Sequence, residues 1–580
     1  MFTTINDIVK NKLILDDQSV WATKNQKQFD YSDGTSSEKY LETVFKSAKD
    51  LTANSYELEK WIKDWPSEYH LSRKRSQLLS GFSFDQNARV LEVGCGCGAI
   101  TRYLGETFKS VVSVEGSITR AHLARQRVSD LDNVTVINSP FQDLVFTKKF
   151  DIIFCIGVFE YSHLFVSGTD PYDEVLSNFQ KHITPSGSVV MAIENQFGMK
   201  YFASSREDHV NKMHEGIEGY PNNHSGVRTF GREELKNRLA KHFKHINFYY
   251  PYPDYKMPTC VLNEQMLCSG TAGELISQIT SRDYAGQKHK LFDEGFATLE
   301  LDKNKQLPFF ANSFLVVASN SEISDRTFNQ LGILFSSNRK PKYQTKTKII
   351  ERKDAGIFSE KTLINNQEPA DNSKLSIHET ENSWVGRHSL QTTIRLACKD
   401  RGSSIETLFR PCKQWIVALE NIAVMDRGKK MLPGKYVDHI WRNTYPCDVG
   451  VDFIDEEWSW SEDIKLNVLL IRSIYWCLKD TECIDGIISE LCIDNAKRLI
   501  KTIAKSLGIT LSNSDFTSFI QLESEISSAV FGTNKNNSKR TLNLYMFSRR
   551  TLKFLRFCKV MLSNVVSKCK RVINKICLSK

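Results

Sequence analysis

Five residues carry the first chemical signal. Glu92 is followed by Gly94, Gly96 and Gly98 in the run Arg89-Val-Leu-Glu-Val-Gly-Cys-Gly-Cys-Gly-Ala-Ile100, and Glu115 ends the next apolar run, Ser110-Val-Val-Ser-Val-Glu115. A short apolar run, a glycine-dense turn and a further apolar stretch read as a buried strand, a tight turn and the start of a helix. Without a Cβ, such a turn lets a ligand approach the backbone, and the free N–H groups of the helix start favour negative charge. Glu92 can accept from an ammonium, and an acid about 20 residues past the turn has the spacing of a ribose-hydroxyl ligand. A glycine-rich turn alone would also suit a dinucleotide, but the G-x-G-x-x-G spacing is not kept here.

Elements that would position these groups follow in order. A helix is expected from about Ile118 to Ser129, then the strand Val134–Asn138 and the segment Ser139-Pro-Phe-Gln-Asp143. Phe150-Asp-Ile-Ile-Phe-Cys-Ile-Gly157 reads as a fourth strand, Asp173–Lys181 as a helix and Gly187–Glu194 as a fifth strand. Ile246–Tyr250 and Phe314–Ser319 read as the sixth and seventh. Alternating strands and helices predict an α/β domain with ligands at the carboxyl ends of a mainly parallel sheet.

The pattern E-x-G-x-G-x-G resembles the first motif of the class I S-adenosylmethionine-dependent methyltransferases. The resemblance implies a Rossmann-like, seven-stranded domain with S-adenosylmethionine as cofactor. It carries Glu92, Gly94, Cys95, Gly96 and Gly98 onto the methionine end, and Glu115, Gly116 and Ser117 onto the ribose. Phe141 and Gln142 would meet the adenine, with Ile156 and Gly157 on the fourth-strand side. A helix begun at Pro66 and Ser67 would form an N-terminal lid, with Tyr69, His70 or Arg75 near the cofactor carboxylate.

A narrower resemblance rests on W-P-S-E-Y-H-L-S, E-N-x-F-G-x-K-Y-F, E-D-H, V-R-T-F and Y-P-x-P-D-Y-K-x-P-T between Leu58 and Ser319. These segments are similar to a bacterial methyltransferase group associated with O-antigen and other surface-glycan biosynthesis. The resemblance implies O-methylation of a sugar in such a glycan or its precursor. A sugar hydroxyl needs a base as it attacks. His209 suits that role from its ordinary pKa near 6.5, with Asp208 orienting it or serving itself. Glu160, Glu194 and Asn195 sit at strand ends, where Glu194 joins the catalytic candidates and the other two would bind the hydroxyl. Arg228 and Lys256 would hold a phosphate or carboxylate, and Tyr255 would stack on a sugar.

Composition sets the frame: 580 residues, 41% hydrophobic and 25% charged, as in soluble globular proteins. No secretory signal or membrane span is expected. The 14 cysteines include no paired C-x-x-C units, so reduced thiols and no metal site are expected. Four regions are anticipated: 1–80 with the lid, 81–322 as the methyltransferase domain with an acceptor-site insertion at 195–312, an α+β domain at 323–534, and a tail at 535–580. In the third region, Asp438, Asn443 and Asp455 resemble the catalytic loop and metal-binding parts of kinase-like phosphotransferases. No glycine-rich loop precedes them, so the expectation is a degenerate kinase-like domain or an unrelated module. The tail holds thirteen Lys or Arg against a whole-chain net charge of +9, so the body is mildly acidic. With Leu542, Met546, Phe547, Phe554 and Leu555 at roughly helical spacing, it reads as a basic amphipathic helix. Its expected partner is an anionic membrane surface or a glycan-synthesis protein, with nucleic acid disfavoured. That places the chain in the cytoplasm, peripheral to the inner face of the membrane.

Overall fold

The computed structural model describes residues 5–23, 34–223, 225–284, 290–323, 325–365, 373–400, 402–481 and 489–549. Two compact units emerge. The first comprises the chain to Ser337 together with Lys346–Glu360, and the second Asn338–Thr345 with the chain from Lys361 onward. The division thus falls at Ser337 rather than 322, and the first 80 residues belong to the first unit.

The first unit is built on strands β1 (Leu13–Leu15), β2 (Trp21–Thr23), β3 (Arg89–Val93), β4 (Ser110–Glu115), β5 (Val134–Asn138), β6 (Phe150–Ile156), β7 (Ile183–Glu194), β8 (His245–Tyr252), β9 (Cys260–Asn263), β10 (Ser313–Ser319), β11 (Gly332–Phe335) and β12 (Thr345–Arg352). Their order is β1-β2-β5-β4-β3-β6-β7-β10-β8-β9-β11-β12. From β2 to β7 neighbours are parallel, whereas β10 runs antiparallel to both β7 and β8. Strands covered on both faces read as continuous apolar runs, and every residue of β10 is buried. Each buried Val, Leu or Ile there contributes about 1.5–3 kcal/mol. The sequence-predicted seven strands form the middle of this sheet. It extends beyond them because β1 and β2 cover the β5 edge, while β9, β11 and β12 continue past β8. β1, β2, β9 and β11, of three or four residues each, carry too little periodicity to be read in advance, whereas the alternation of Lys340–Ile350 does announce β12.

Strand order reverses between β3 and β6, so the turns leaving their carboxyl ends flank one crevice. Over that crevice lies the helix Trp65–Leu71. Asp64 caps it with a reciprocal Ser67 capping box, so the helix starts one residue before Pro66.

The second unit is α+β. Its core gathers Trp415, Trp441, Leu469 and Phe519 around the helix Leu466–Thr481. Asp438 accepts from Asn443 Nδ2 at 2.8 Å and from Arg472 Nη1 at 2.6 Å, and Arg472 Nε also reaches Glu523 at 2.8 Å. Asp455 pairs with Lys361. Asp438 is therefore one end of a buried ion-pair chain. Only the start of the expected basic tail is described, as the helix Lys535–Phe547. Leu542, Tyr545 and Met546 are buried in the second unit's core, which corrects the assignment of that stretch to a membrane or partner face. Residues 550–580, with the remaining basic and apolar tail positions, lie outside the described residues. No described helix is long and apolar enough to cross a membrane. Met546→Ala should therefore cost about 2–5 kcal/mol in chemical denaturation; an unchanged denaturation midpoint would mean that this helix does not pack on the core.

Candidate functional site

A cavity of about 880 Å³ opens at the carboxyl ends of β3, β4 and β6. On one side stands the glycine turn. Gly94 and Gly96 take left-handed φ values of 73° and 56°. A Cβ on Gly94 would lie 2.5 Å from a Val158 methyl at a left-handed φ, so a side chain there is strained and must displace Val158. Gly98 also has φ above zero, but it abuts the helix Ile118–Arg127, where a Cβ would lie 2.9 Å from Ala124 Cα. It serves packing and does not line the cavity, a correction to its expected place at the ligand.

Glu115 accepts from Gly96 N at 2.8 Å through Oε2 and from Ser117 N at 3.0 Å through Oε1, tying the β4 end to the glycine turn. Ser117 itself stands at the start of the following helix without a side-chain cap and does not line the cavity, while Gly116 does. Glu92 is buried beneath the turn, where Thr101 Oγ1 and Ser113 Oγ donate to Oε2 at 2.7 and 2.8 Å. Burial pushes its carboxyl up to about 7 against those two hydrogen bonds. Cys95 is a buried thiol of the same wall, and burial raises its pKa.

Phe141, Gln142, Ile156 and Gly157 also line the cavity. Phe141 packs against Phe179 at 5.5 Å, and Gln142 Nε2 donates to Phe165 O at 2.6 Å, so neither group waits solely for an adenine. Tyr69, His70 and Arg75 complete the far wall. The Arg75 guanidinium lies 4.2 Å from the centre of the Tyr69 ring and donates to Lys256 O at 3.1 Å, which joins the N-terminal helix to a loop 180 residues later.

Across from the glycine turn lies a buried acid–base cluster. Lys256 Nζ bridges Glu194 Oε1 at 2.5 Å and Asp208 Oδ2 at 2.6 Å. Lys200 Nζ reaches both Asp208 oxygens at 3.1 and 3.0 Å. Burial opposes all of these charges, yet the ion pairs win: Glu194 and Asp208 are held below the usual carboxylate range and Lys256 well above its usual value. His209 Nε2 faces Glu194 Oε2 at 3.3 Å and Nδ1 faces Tyr161 Oη at 2.9 Å. Burial alone would lower its pKa, but Glu194, Glu207 and Glu160 outweigh that and raise it to about 9.

These distances alter several expected roles. Asp208 does not orient His209, because both lysines hold it. His209 does not keep the ordinary value on which a neutral base was expected. Lys256 lines the cavity with its ammonium already paired. Arg228 is engaged by Glu234 at 2.9 Å and does not line the cavity. Asn195 is buried, donating to Phe309 O and Ala311 O at 2.8 Å, and so braces a loop rather than binding a ligand. Tyr255 is buried against Gly157, where a Cβ would meet its hydroxyl at 2.5 Å. Arg120, Tyr161 and Trp65, which line the cavity, and Lys200 carry no assigned role in the sequence. Arg120 had a signal as a cation shortly after Glu115. Trp65 and Lys200 stand in the segments W-P-S-E-Y-H-L-S and E-N-x-F-G-x-K-Y-F, but the role of a buried lysine is recognisable only with its partner.

Residues 91–189 match the family model described as "Methyltransferase domain". Over 100 residues the chain is 32% identical to the cyclopropane-fatty-acyl-phospholipid synthase of Escherichia coli K12, covering 17% of this chain and 24% of that protein. Over 163 residues it is 25% identical to the malonyl-[acyl-carrier protein] O-methyltransferase of Priestia megaterium, covering 28% and 54%. The chain thus spans from about a quarter to about half the length of these two relatives. The N-methyltransferase NodS structure from Bradyrhizobium japonicum WM9 aligns with 43% of this chain and 95% of that one, at 14% identity and a TM-score of 0.25. The stretch is a methyltransferase domain of the class I, Rossmann-like type, and the cofactor of that class is S-adenosylmethionine. The residues present fit it: a backbone cradle that a Cβ would fill, a buried carboxylate for an ammonium, and an acid at the β4 end.

Two measurements check this wall. Gly94→Ala should abolish cofactor binding in calorimetry while leaving the circular dichroism of the chain unchanged; retained affinity would count against the cradle. If Glu92 holds the cofactor ammonium, it does so only when ionised, so affinity should fall below about pH 7, approaching tenfold per unit. Glu92→Gln should flatten that dependence.

Proposed function

We propose that this chain transfers the methyl group of S-adenosylmethionine to a hydroxyl of a sugar in a bacterial surface glycan, of the O-antigen or lipopolysaccharide type, or to its precursor. One observation carries the reading: a single cavity joins the glycine cradle to Asp208, His209 and Lys256, with Glu194 paired behind them. The segments that resemble the glycan-associated group, E-D-H and Y-P-x-P-D-Y-K among them, supply the cluster itself. When bound, the cofactor supplies a methyl on an electron-poor sulfonium, which passes to the acceptor oxygen as that oxygen gives up its proton. The protein's part is alignment and exclusion of water. Glu92 and the glycine turn hold the methionine end, and Glu115 the ribose. The helix Trp65–Leu71 and Arg75 close the far wall. The acceptor's proton passes to the carboxylate of Asp208, which lines the cavity, because His209 already holds its own proton at neutral pH. The chain acts at the inner face of the membrane, a reading supported by the basic composition of residues 550–580.

Calorimetry of the full chain should show micromolar binding of S-adenosylmethionine that Glu115→Ala weakens by about tenfold or more. Labelled methyl should then pass to a lipid- or nucleotide-linked sugar precursor. No binding by folded protein would sink the enzyme reading in favour of a scaffold or length-control subunit of a glycan-synthesis complex. Transfer to RNA or a small metabolite but not to glycan would keep the chemistry and overturn the acceptor.

A further inference from the structure

One carboxylate beside the cluster is unaccounted for. Glu160 leaves the end of β6 in the turn Phe159–Tyr161 and is wholly buried. Neither of its carboxylate oxygens has a hydrogen-bond partner. A buried carboxylate in that state is strongly disfavoured unless a cation or donor meets it. The neighbouring cations are committed elsewhere: Lys256 pairs with Glu194 and Asp208, Lys200 with Asp208, and the ring nitrogens of His209 face Glu194 and Tyr161. A proton on Glu160 would not complete the site, because the resulting O–H would itself need an acceptor.

Glu194 and His209 stand beside it. One donor atom from each of Glu160, Glu194 and His209 lies within 4.8 Å of the other two. That separation leaves a gap a small cation can span after a slight contraction to ordinary ligand distances of about 2.0–2.2 Å. Tyr161 sits on the open side of His209, bonded to Nδ1, and would fix the ring with Nε2 turned toward Glu194. A metal-bound imidazole is commonly held in this way through its other nitrogen. Glu207 accepts from the backbone N of His209 at 2.8 Å and holds the loop that carries it.

We propose that Glu160, Glu194 and His209 bind a divalent transition-metal cation, in a site formed by the end of β6, the end of β7 and the loop after Ser205. Two carboxylates and one imidazole suit Mn²⁺, Fe²⁺ or Zn²⁺ better than Ca²⁺, whose sites are all-oxygen. The cation replaces the proton shared between His209 and Glu194 and neutralises Glu160. Because His209 and Tyr161 line the cavity, the ion sits just behind its acceptor side. The inference deepens the methyl-transfer reading and rests on the same site, and its test does not need an acceptor.

The experiment is a Mn²⁺ titration of the chelator-stripped, full-length chain, followed by the electron-spin resonance of free Mn²⁺, with Zn²⁺ as competitor. One tight site per chain is expected. Glu160→Gln and His209→Gln should each weaken it by about tenfold or more, since even outer-shell changes cost on the order of tenfold. Glu300→Gln, on an exposed helix, should leave it unchanged. Circular dichroism and S-adenosylmethionine calorimetry on the same stripped samples report folding and the cofactor site separately. Absence of a stoichiometric site in the wild-type chain, or equal binding by Glu160→Gln, overturns the metal site even if the cofactor binds. Metal binding without cofactor binding would instead sink the methyl-transfer reading alone.

Discussion

Everything around the cavity is arranged so that the Lys256 ammonium can stand nearly enclosed in its wall. An ammonium so placed is tolerable only when its charge is met, and Glu194 and Asp208 meet it. That requirement fixes three distant parts of the chain at once: the end of β7, the loop after Ser205 and the loop after β8. Lys200 then balances the second face of Asp208, and His209 balances Glu194. Removing one partner from such a group leaves an uncompensated charge, so the cluster also specifies the loop geometry. A hydrophobic substitute could fill the same volume without dictating which loop meets which.

The glycine turn works under a complementary constraint. Its geometry is set by what cannot be there: a Cβ on Gly94 would strike Val158, and one on Gly157 would strike Tyr255. Between these steric walls the backbone N of Gly96 is anchored by Glu115. The cradle and the acid–base cluster meet through Gly157 and Tyr255, so the two halves of the cavity share a boundary set by van der Waals contact.

The sequence disclosed most of this where signals were local. The Glu92-to-Gly98 turn, Glu115 and the apolar runs of β3 to β8 and β10 were readable, because a strand, its turn and its acidic end lie within a dozen residues. The cluster was legible only as ingredients. His209, Asp208 and Lys256 were singled out, yet their partners were misassigned, since Lys256 lies 48 residues from Asp208 and 62 from Glu194. Arg228 and Asn195 looked functional from residue type and position, but packing spent them on Glu234 and on loop carbonyls. Leu542 and Met546 matched an amphipathic anchor equally well whether a bilayer or a protein core lay opposite. Helical periodicity says that a face is apolar and says nothing of what covers it.

Strand β10 has a consequence for how the chain is made. It lies between β7 and β8 although it is synthesised after both. Until Ser319 has left the ribosome, the inner edges of β7 and β8 have no strand to pair with, and both are strongly apolar. Such edges are templates for association with other chains. The nascent protein must therefore pass through a window of more than a hundred residues in which the inner edge of β7 has no partner. Translation speed and chaperone capture over that interval should govern the yield of folded protein more than the stability of the finished sheet does.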